Sequence, residues 1–374
     1  MAPLSDAGRS APGPAASAAS PIRVLVVDDS AYMRFTIGKG LSEAGGFVVV
    51  GTARDGQEAL EKIPSLLPDV VTLDVEMPRL DGLSTLREIM ARFPRPVVML
   101  SSLTSEGANE TVQALTLGAV DFVAKPETRA NMGAVMGDVI AKVRAAARAQ
   151  VRGGARPNAA LPPRFITQPH TPSTMLGSKT TRPRRNQDRV VIVGASTGGP
   201  RALNTVFQDW PANLPAAVLI VQHMPAGFTR SLAERLNSLS PLSIKEAEPG
   251  DSVEVGRGLL APGGFHMTID ENEQIVLNQN PPVQGVRPAV DVTMASVAQR
   301  YGAGAIGVVL TGMGHDGTTG ATLIRNSGGR IIAEAEASSV VWGMPRSVVE
   351  AGQADEVVPL TEIAATVKKL VTSD

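Results

Sequence analysis

The chain has 374 residues, more than one small hydrophobic core usually holds, and this length suits two domains. Apolar residues make up 43% and charged residues 19%, while the formal net charge of −1 gives the whole chain no electrostatic reason to bind nucleic acid or an anionic membrane. The absence of cysteine excludes disulfides and thiolate chemistry. No apolar stretch reaches the length of a membrane span and the N-terminus shows no signal-peptide pattern, so we expect a cytoplasmic protein without direct membrane insertion.

The first half of the chain divides into a tail and an α/β domain. Residues 1–20 are mostly Ala, Pro, Ser and Gly, a composition that predicts a disordered N-terminal tail. Over residues 21–149, β-branched runs alternate with helical patterns. Strands are expected at 22–27, 48–52, 70–73, 97–100 and 120–124, and helices near 30–43, 56–66, 83–92, 107–117 and 132–149. Five βα units predict a doubly wound, five-stranded parallel sheet of the flavodoxin-like type.

The ends of these strands carry a coherent set of polar residues. Asp28 and Asp29 follow the first strand, Asp74 the third, Ser101 the fourth and Lys125 the fifth. A single aspartate after a strand is commonly only a helix cap, but the carboxyl ends of parallel strands meet at one edge of a sheet. Three carboxylates there would repel one another unless a cation such as Mg²⁺ binds, and an aspartate beside Mg²⁺ can attack a phosphoryl donor.

The segments VVDDS, LDVEMPRLDG, VVMLSS and DFVAKP resemble those of response-regulator receiver domains, over residues 21 to about 148. The resemblance implies that a histidine kinase is the phosphodonor for Asp74, and that Ser101 and Lys125 sense the phosphoryl group. It also implies four Mg²⁺ ligands: Asp28, Asp29, Asp74 and the backbone carbonyl of Glu76. Phe122 stands where the family carries an aromatic switch residue, although an ordinary core aromatic is an equal alternative.

A second domain is expected after a basic, proline-rich linker over residues 150–187, whose charge suits either docking to an acidic partner or simple solvation. Residues 188–374 show apolar runs of strand length at 190–193, 217–221 and 305–310, and short antiparallel strands are expected over 259–278. This pattern predicts a Rossmann-like parallel sheet with a small antiparallel portion. Acidic residues outnumber basic ones here, which argues against a DNA-binding output domain.

The segment GASTGG places Ser196 after a strand and before a predicted helix, in the G-x-S-x-G pattern of a nucleophile elbow. A glycine-rich turn that binds a dinucleotide phosphate is an alternative, but the G-x-G-x-x-G spacing is missing. The nucleophile-elbow interpretation is therefore favoured, and a serine nucleophile needs a neighbouring base to take its proton.

Histidine is the usual base for a serine nucleophile, and the chain has four. His170 lies in the linker and His266 in the antiparallel region, whereas His223 ends the strand after Ser196. Asp316, in TGMGHDG, follows a third strand and can orient the histidine. The alternative order, Asp291 followed by His315, is less favoured because neither residue ends a comparable strand.

GASTGGP, VQHMP, APGG and LTGMGHDG resemble the catalytic domain of the chemotaxis protein-glutamate methylesterase and glutaminase family, over residues 189 to about 372. The resemblance implies that methyl-accepting chemoreceptors are the substrates and that the hydrolase chemistry needs no cofactor. It implies five site residues: the nucleophile Ser196, the base His223, the acid Asp316, the oxyanion-hole amide of Met313 and the supporting residue Thr197. It further implies activation by phosphorylation, giving adaptation in chemotaxis. A non-enzymatic phospho-switch adaptor is the alternative.

Overall fold

The computed structural model describes residues 20–125, 132–149 and 189–373. The predicted tail up to residue 19 and the predicted linker lie outside the described residues. Two parallel sheets, each flanked by helices, account for most of the rest. The structure therefore confirms the predicted α/β class.

The first sheet has five parallel strands in the order β2-β1-β3-β4-β5. Its strands are β1 (Ile22–Val27), β2 (Phe47–Ala53), β3 (Val70–Asp74), β4 (Val97–Ser101) and β5 (Asp121–Ala124). Its helices are α1 (Ala31–Glu43), α2 (Gly56–Leu66), α3 (Gly82–Arg92), α4 (Ser105–Leu117) and α5 (Met132–Ala146). Strands β3 and β4 are buried along their whole length, as expected where helices cover both faces.

Short polar side chains set the starts of four of these helices. Ser30, Asp55, Asp81 and Thr104 each accept a hydrogen bond from a first-turn amide, as N-cap residues do. Helix α4 therefore begins at Ser105, slightly before the predicted start near residue 107. The caps lie at or just beyond the carboxyl ends of the strands, so the same loops that start the helices also carry polar side chains to that edge.

The second sheet has seven strands in the order β14-β13-β12-β6-β7-β9-β8, all parallel. Its strands are β6 (Arg189–Ala195), β7 (Ala216–Gln222), β8 (Ser243–Glu246), β9 (Arg257–Leu260), β12 (Ala305–Val309), β13 (Arg330–Glu334) and β14 (Glu356–Val358). Its helices are α6 (Gly199–Gln208), α7 (Phe228–Leu239), α8 (Val290–Tyr301), α9 (Thr318–Asn326), α10 (Met344–Glu350) and α11 (Ile363–Thr372).

The small antiparallel portion is narrower than expected. Only β10 (His266–Ile269) and β11 (Ile275–Asn278) form an antiparallel pair. Strand β9, at the start of the segment expected to be antiparallel, pairs in parallel with β7 and β8. The reason is burial, because Leu259 and Leu260 extend the core of the main sheet before the chain turns at the APGG segment.

Strand β6 lies between β12 and β7. The strands that follow β6 in the chain are therefore added on one side of it up to β9, and on its other side from β12 onwards. In open parallel sheets such a switch point opens a crevice at the carboxyl ends of the strands. The loops after β6, β7 and β12 meet at this crevice.

The two sheets meet through helices α4, α6 and α7 and the edge strand β5. The rings of Phe122 and Phe228 lie 4.6 Å apart between centroids, and Asn204 Nδ2 donates to Thr116 Oγ1 at 2.8 Å. The amide of Gly198 donates to the Val120 carbonyl oxygen at 3.1 Å. The start of α6 is therefore bound directly by the first domain.

Candidate active site

Ser196 and His223 come together because β6 and β7 are neighbours in register. Ala195 pairs with Gln222 as the last residues of the two strands, and Ser196 and His223 follow them. The His223 amide donates to the Ala195 carbonyl at 3.1 Å, and the Ser196 amide donates to the Thr311 carbonyl at 3.0 Å. Both residues thus leave the sheet at the crevice.

The turn after Ser196 requires glycine. Gly198 has a φ of 78°, in the left-handed region, and a Cβ atom there would lie 2.6 Å from the Val340 Cβ atom. This turn starts α6 immediately, with Pro200 in its first turn. The N-terminus of α6 consequently lies next to the serine.

His223 is hydrogen-bonded to Asp316, with 2.7 Å between Nε2 and Oδ2. The carboxylate of Asp316 also accepts the amides of Val290 at 2.6 Å, Asp291 at 2.8 Å and Gly317 at 2.9 Å. Burial raises the pKa of Asp316, but the hydrogen bonds and the neighbouring His223 outweigh burial and bring the pKa below its usual value. Asp316 is therefore held as an ionised acceptor.

The alternative pair of Asp291 and His315 does not form. The His315 side chain is exposed, and the Asp291 carboxylate accepts hydrogen bonds from Gln284, Gly317 and Gly320 instead. His266 is buried in β10, where its ring lies beside the Pro281 carbonyl. His170 lies outside the described residues.

The loop of residues 311–314, after β12, closes the crevice beside the serine. A Cβ atom on Gly312 would lie 2.7 Å from the Ser196 Cβ atom, so only glycine allows this approach. Across the described part of the chain, no protein group accepts the Met313 amide, and the Met313 side chain is 44% exposed. The loop that packs against Ser196 therefore carries a backbone amide without a protein acceptor in the part of the chain that the structure describes.

Sequence reasoning missed two residues that hold this loop and the serine turn. Gln222 donates from Nε2 to the carbonyl oxygen of Ser196 at 2.9 Å. Glu334 accepts the Thr311 amide at 2.8 Å, and burial raises the pKa of Glu334. Each ends a strand, β7 and β13 respectively, and a polar residue at the end of an apolar run is the signal that could have found them.

The predicted receiver residues meet at the carboxyl edge of the first sheet. Oxygen atoms of Asp28, Asp29 and Asp74 lie within 4.8 Å of one another. Lys125 Nζ lies 2.7 Å from Asp74 Oδ2 and 3.1 Å from Asp28 Oδ2. Burial raises the pKa of Asp74 to about 7, with Lys125 opposing and the Asp28 charge adding to the shift. This oxygen-only set, with more carboxylates than cations, fits Mg²⁺.

The other predicted receiver residues lie close by, but not all of them point to Asp74. Ser101 Oγ donates to the carbonyl oxygens of Gly107 at 3.1 Å and Ser102 at 3.2 Å. The Glu76 amide lies 3.4 Å from Asp74 Oδ1, and its side chain accepts Ser102 Oγ at 2.7 Å. In this structure the Ser101 hydroxyl is thus turned towards α4 rather than towards Asp74.

Thr197 and Phe122 both lie at the contact between the two sheets. The Thr197 hydroxyl donates to Asp121 Oδ2 at 2.5 Å, and the Thr197 side chain is buried. Phe122, the residue after Asp121, packs on Phe228 at the start of α7. A carboxylate of the first domain is therefore bound to the residue that follows the candidate nucleophile.

Together these features define a class of protein: a receiver-type sheet with an acidic pocket, attached to a second parallel sheet in which a serine and a hydrogen-bonded histidine–aspartate pair lie at the ends of neighbouring strands. Two family models match, the response regulator receiver domain over residues 24–136 and the CheB methylesterase over residues 191–367.

Curated relatives agree with these matches. A protein-glutamate methylesterase/protein-glutamine glutaminase of Symbiobacterium thermophilum is 54% identical over 94% of this chain and 97% of the relative. One of Geobacillus kaustophilus is 47% identical over 94% of this chain and 99% of the relative. The crystal structure of the Thermotoga maritima CheB methylesterase catalytic domain is 45% identical, covering 49% of this chain and 98% of that domain, with a TM-score of 0.48. The chain belongs to the protein-glutamate methylesterase/protein-glutamine glutaminase family.

No helix within residues 20–125, 132–149 and 189–373 is long and apolar enough to cross a membrane.

Proposed function

We propose that the chain hydrolyses glutamyl methyl esters, and deamidates selected glutamines, on the cytoplasmic helices of methyl-accepting chemoreceptors. The observation that carries this proposal is the 2.7 Å hydrogen bond between His223 and Asp316 beside Ser196. The names of relatives up to 54% identical over most of the chain support the substrate class. The chemistry belongs to residues 188–374 and its control to residues 21–149, with residues 150–187 as the linker.

In the proposed reaction, Ser196 Oγ attacks the ester carbonyl while His223 takes its proton. Because Asp316 binds the Nε2 side of the ring, Nδ1 is the nitrogen left to act as base. The proton then passes to the methoxide, which leaves as methanol. Water attacks the acyl-enzyme, again with His223 as base, and releases glutamate. A glutamine reacts in the same way and releases ammonia.

Negative charge that develops on the carbonyl oxygen needs nearby donors. The Met313 amide is the first, because it lies in the loop packed against Ser196 and has no protein acceptor among the described residues. The N-terminus of α6 adds its partial positive charge. Removing one such donor typically lowers kcat by about 10²–10³-fold.

Phosphorylation of Asp74 is the proposed switch. Residues Asp28, Asp29 and Asp74, with the Glu76 carbonyl, would hold Mg²⁺, which supplies charge neutralisation for phosphoryl transfer. Lys125, already beside Asp74, would bind the phosphoryl oxygens, and Ser101 would have to turn from Gly107 to reach them. A histidine kinase of the same pathway is the expected phosphodonor.

The unphosphorylated receiver is proposed to inhibit the hydrolase by covering its site. Asp121 binds the Thr197 hydroxyl and the Val120 carbonyl accepts the Gly198 amide, so the receiver holds the two residues that directly follow Ser196. Phosphorylation would favour a second arrangement of the receiver in which these contacts are released.

The test is methanol release from methylated chemoreceptor membranes, with and without a small phosphodonor and Mg²⁺. We expect release that rises with the phosphodonor and is lost in Ser196→Ala, while Ser238→Ala, an exposed serine near the end of α7, retains it. Release that persists in Ser196→Ala would overturn the proposed nucleophile. A fully active chain with Asp74→Asn and no phosphodonor would overturn the proposed switch.

A further inference from the structure

A second buried aspartate lies behind the triad carboxylate, and the reaction described above does not use it. Asp291 is in the first turn of α8 and is 8% exposed. Its Oδ1 accepts the amides of Gly317 at 2.9 Å and Gly320 at 2.7 Å, at the start of α9. Its Oδ2 accepts Gln284 Nε2 at 2.9 Å. Asp291 therefore caps a neighbouring helix instead of its own.

The carboxylates of Asp291 and Asp316 each accept a backbone amide at, or next to, the other aspartate. The Asp291 amide donates to Asp316 Oδ1 at 2.8 Å, so the start of α8 binds the triad carboxylate. In return, the Asp291 side chain binds the amide of Gly317, the residue directly after Asp316. Loss of the Asp291 carboxylate would release the loop that aims Asp316 at His223.

The number of donors at this position suits a side chain with two acceptor oxygens. Three N–H groups converge on Asp291: two amides of α9 and the side-chain amide of Gln284. Burial raises the pKa of Asp291, and the nearby charge of Asp316 adds to that shift. The two carboxylates therefore repel each other, and the hydrogen bonds that fix the loop offset this repulsion.

We propose that Asp291, supported by Gln284, is a positioning residue for catalysis that sets the orientation of Asp316 and acts on the reaction only through it. The inference rests on the proposed function, because it concerns the same serine site. Displacement of catalytic groups by about 1 Å commonly lowers turnover by about 10²-fold. The expected signature is a loss in kcat with an unchanged KM.

The first experiment compares Asp291→Ala and Asp291→Asn in the full chain, with methylated receptor as substrate and phosphodonor present. We expect kcat to fall about 10–100-fold in Asp291→Ala with KM within about twofold. Asp291→Asn keeps an oxygen for the two α9 amides, and the Gln284 amide can rotate to accept from its NH₂, so kcat should stay within about threefold. An Asp291→Ala enzyme with wild-type kcat would overturn the proposal.

A matched control separates positioning from a general loss of stability. Asp355 holds the start of β13, because its carboxylate accepts the Ile331 amide at 2.8 Å and pairs with the Arg330 side chain at 2.9 Å. Asp355→Ala should lower the Tm at least as much as Asp291→Ala while leaving kcat within about twofold. An equal loss of kcat in both variants at temperatures where both are folded would mean that Asp291 is only structural.

A double-mutant cycle tests the route through Asp316. In the Asp316→Asn background, Asp291→Ala should change kcat by less than about twofold, because there is no oriented carboxylate left to lose. Multiplicative effects would overturn the proposal. A parallel experiment measures the rate at which a fluorophosphonate labels Ser196. A wild-type chain that neither labels nor releases methanol would contradict the proposed function itself. Labelling of Asp291→Ala at the wild-type rate would contradict only this inference.

Discussion

Two buried aspartates, Asp74 and Asp316, stand at the carboxyl ends of parallel strands, yet their surroundings push their pKa values in opposite directions. Asp74 has the pKa of about 7 that burial imposes, with Lys125 as its main compensation. Asp316 is equally buried, but three amides and His223 bring its pKa below the usual value. At Asp316 the hydrogen bond and charge of His223, followed by the backbone amides, outweigh burial, whereas at Asp74 Lys125 does not.

This contrast matches the two proposed roles. Asp74 has oxygen atoms that few protein donors satisfy, which suits a group that must bind a cation and then form a bond to phosphorus. Asp316 is held from every side, which suits a group that only orients and stabilises a neighbouring charge. The same strand-end position thus serves a reactive carboxylate in one domain and a fixed carboxylate in the other.

The largest effect is expected at the fixed carboxylate. Asp316→Asn keeps acceptors for the amides but places an NH₂ group where His223 needs an acceptor, which favours the wrong tautomer. We expect kcat for methanol release to fall by about 10⁴-fold. His315→Ala, a neighbouring but exposed histidine, should stay within about twofold. A loss smaller than tenfold in Asp316→Asn would contradict the assignment of this carboxylate to the triad.

The next effect concerns stability at the reactive carboxylate. The raised pKa of Asp74 corresponds to roughly 4 kcal/mol of destabilisation of its ionised form in the folded chain. Because Asp74→Asn also removes the partner of Lys125, we expect this substitution to raise the free energy of unfolding by only about 1–2 kcal/mol. A raised folded pKa means that stability is lost as pH rises through about 7, so the gain should be larger at pH 8 than at pH 5. Urea unfolding at both pH values, without Mg²⁺, measures it. A gain that does not grow with pH would contradict the unfavourable ionised state, and Mg²⁺ should shrink the gain.

The linkage has the opposite sign at Asp316. Its folded pKa lies below the ordinary value, so its contribution to stability is present above pH 4 and is lost as pH falls through the folded pKa. Asp316→Asn should therefore destabilise the chain at pH 7, and the difference from wild type should shrink on acidification below about pH 4. Urea unfolding at pH 3.5 and pH 7 checks the sign, and a stabilised Asp316→Asn at pH 7 would contradict it.

A smaller effect is expected where the domains meet. Asp121→Asn weakens the charged hydrogen bond to Thr197, and a net loss of about 1 kcal/mol would raise activity without phosphodonor about 5-fold. The matched control is Asp138→Asn, since Asp138 and Asp121 both pair with Lys142, at 3.3 and 3.4 Å, but Asp138 makes no hydrogen bond to the hydrolase domain among the described residues. Basal methanol release compares the two, and equal basal rates in both variants would count against Asp121 as an inhibitory contact.

Much of the fold was predictable because its patterns are local. The alternation of apolar β-branched runs with helical segments identified all five strands of the first sheet, and strand-end residues such as Asp74 and Ser196 could be read directly from the sequence. Strand β9 was expected to be antiparallel, since a short apolar run carries no information about the direction of its partner. The site residues Gln222 and Glu334 were missed because a lone polar residue after a strand has many ordinary explanations.

The available groups can be read from the amino-acid order: a serine in a glycine-rich turn, a histidine after the next strand, and aspartates at strand ends, each set by local chain geometry. Which oxygen faces which donor depends on how the helices and strands pack. Asp291 and Asp316 are separated by a helix and a strand along the chain, and their reciprocal hydrogen bonds exist because α8 and α9 pack with their first turns together. The receiver carboxylate of Asp121 likewise reaches Thr197 only through packing between domains, since contacts of such sequence separation leave no local pattern.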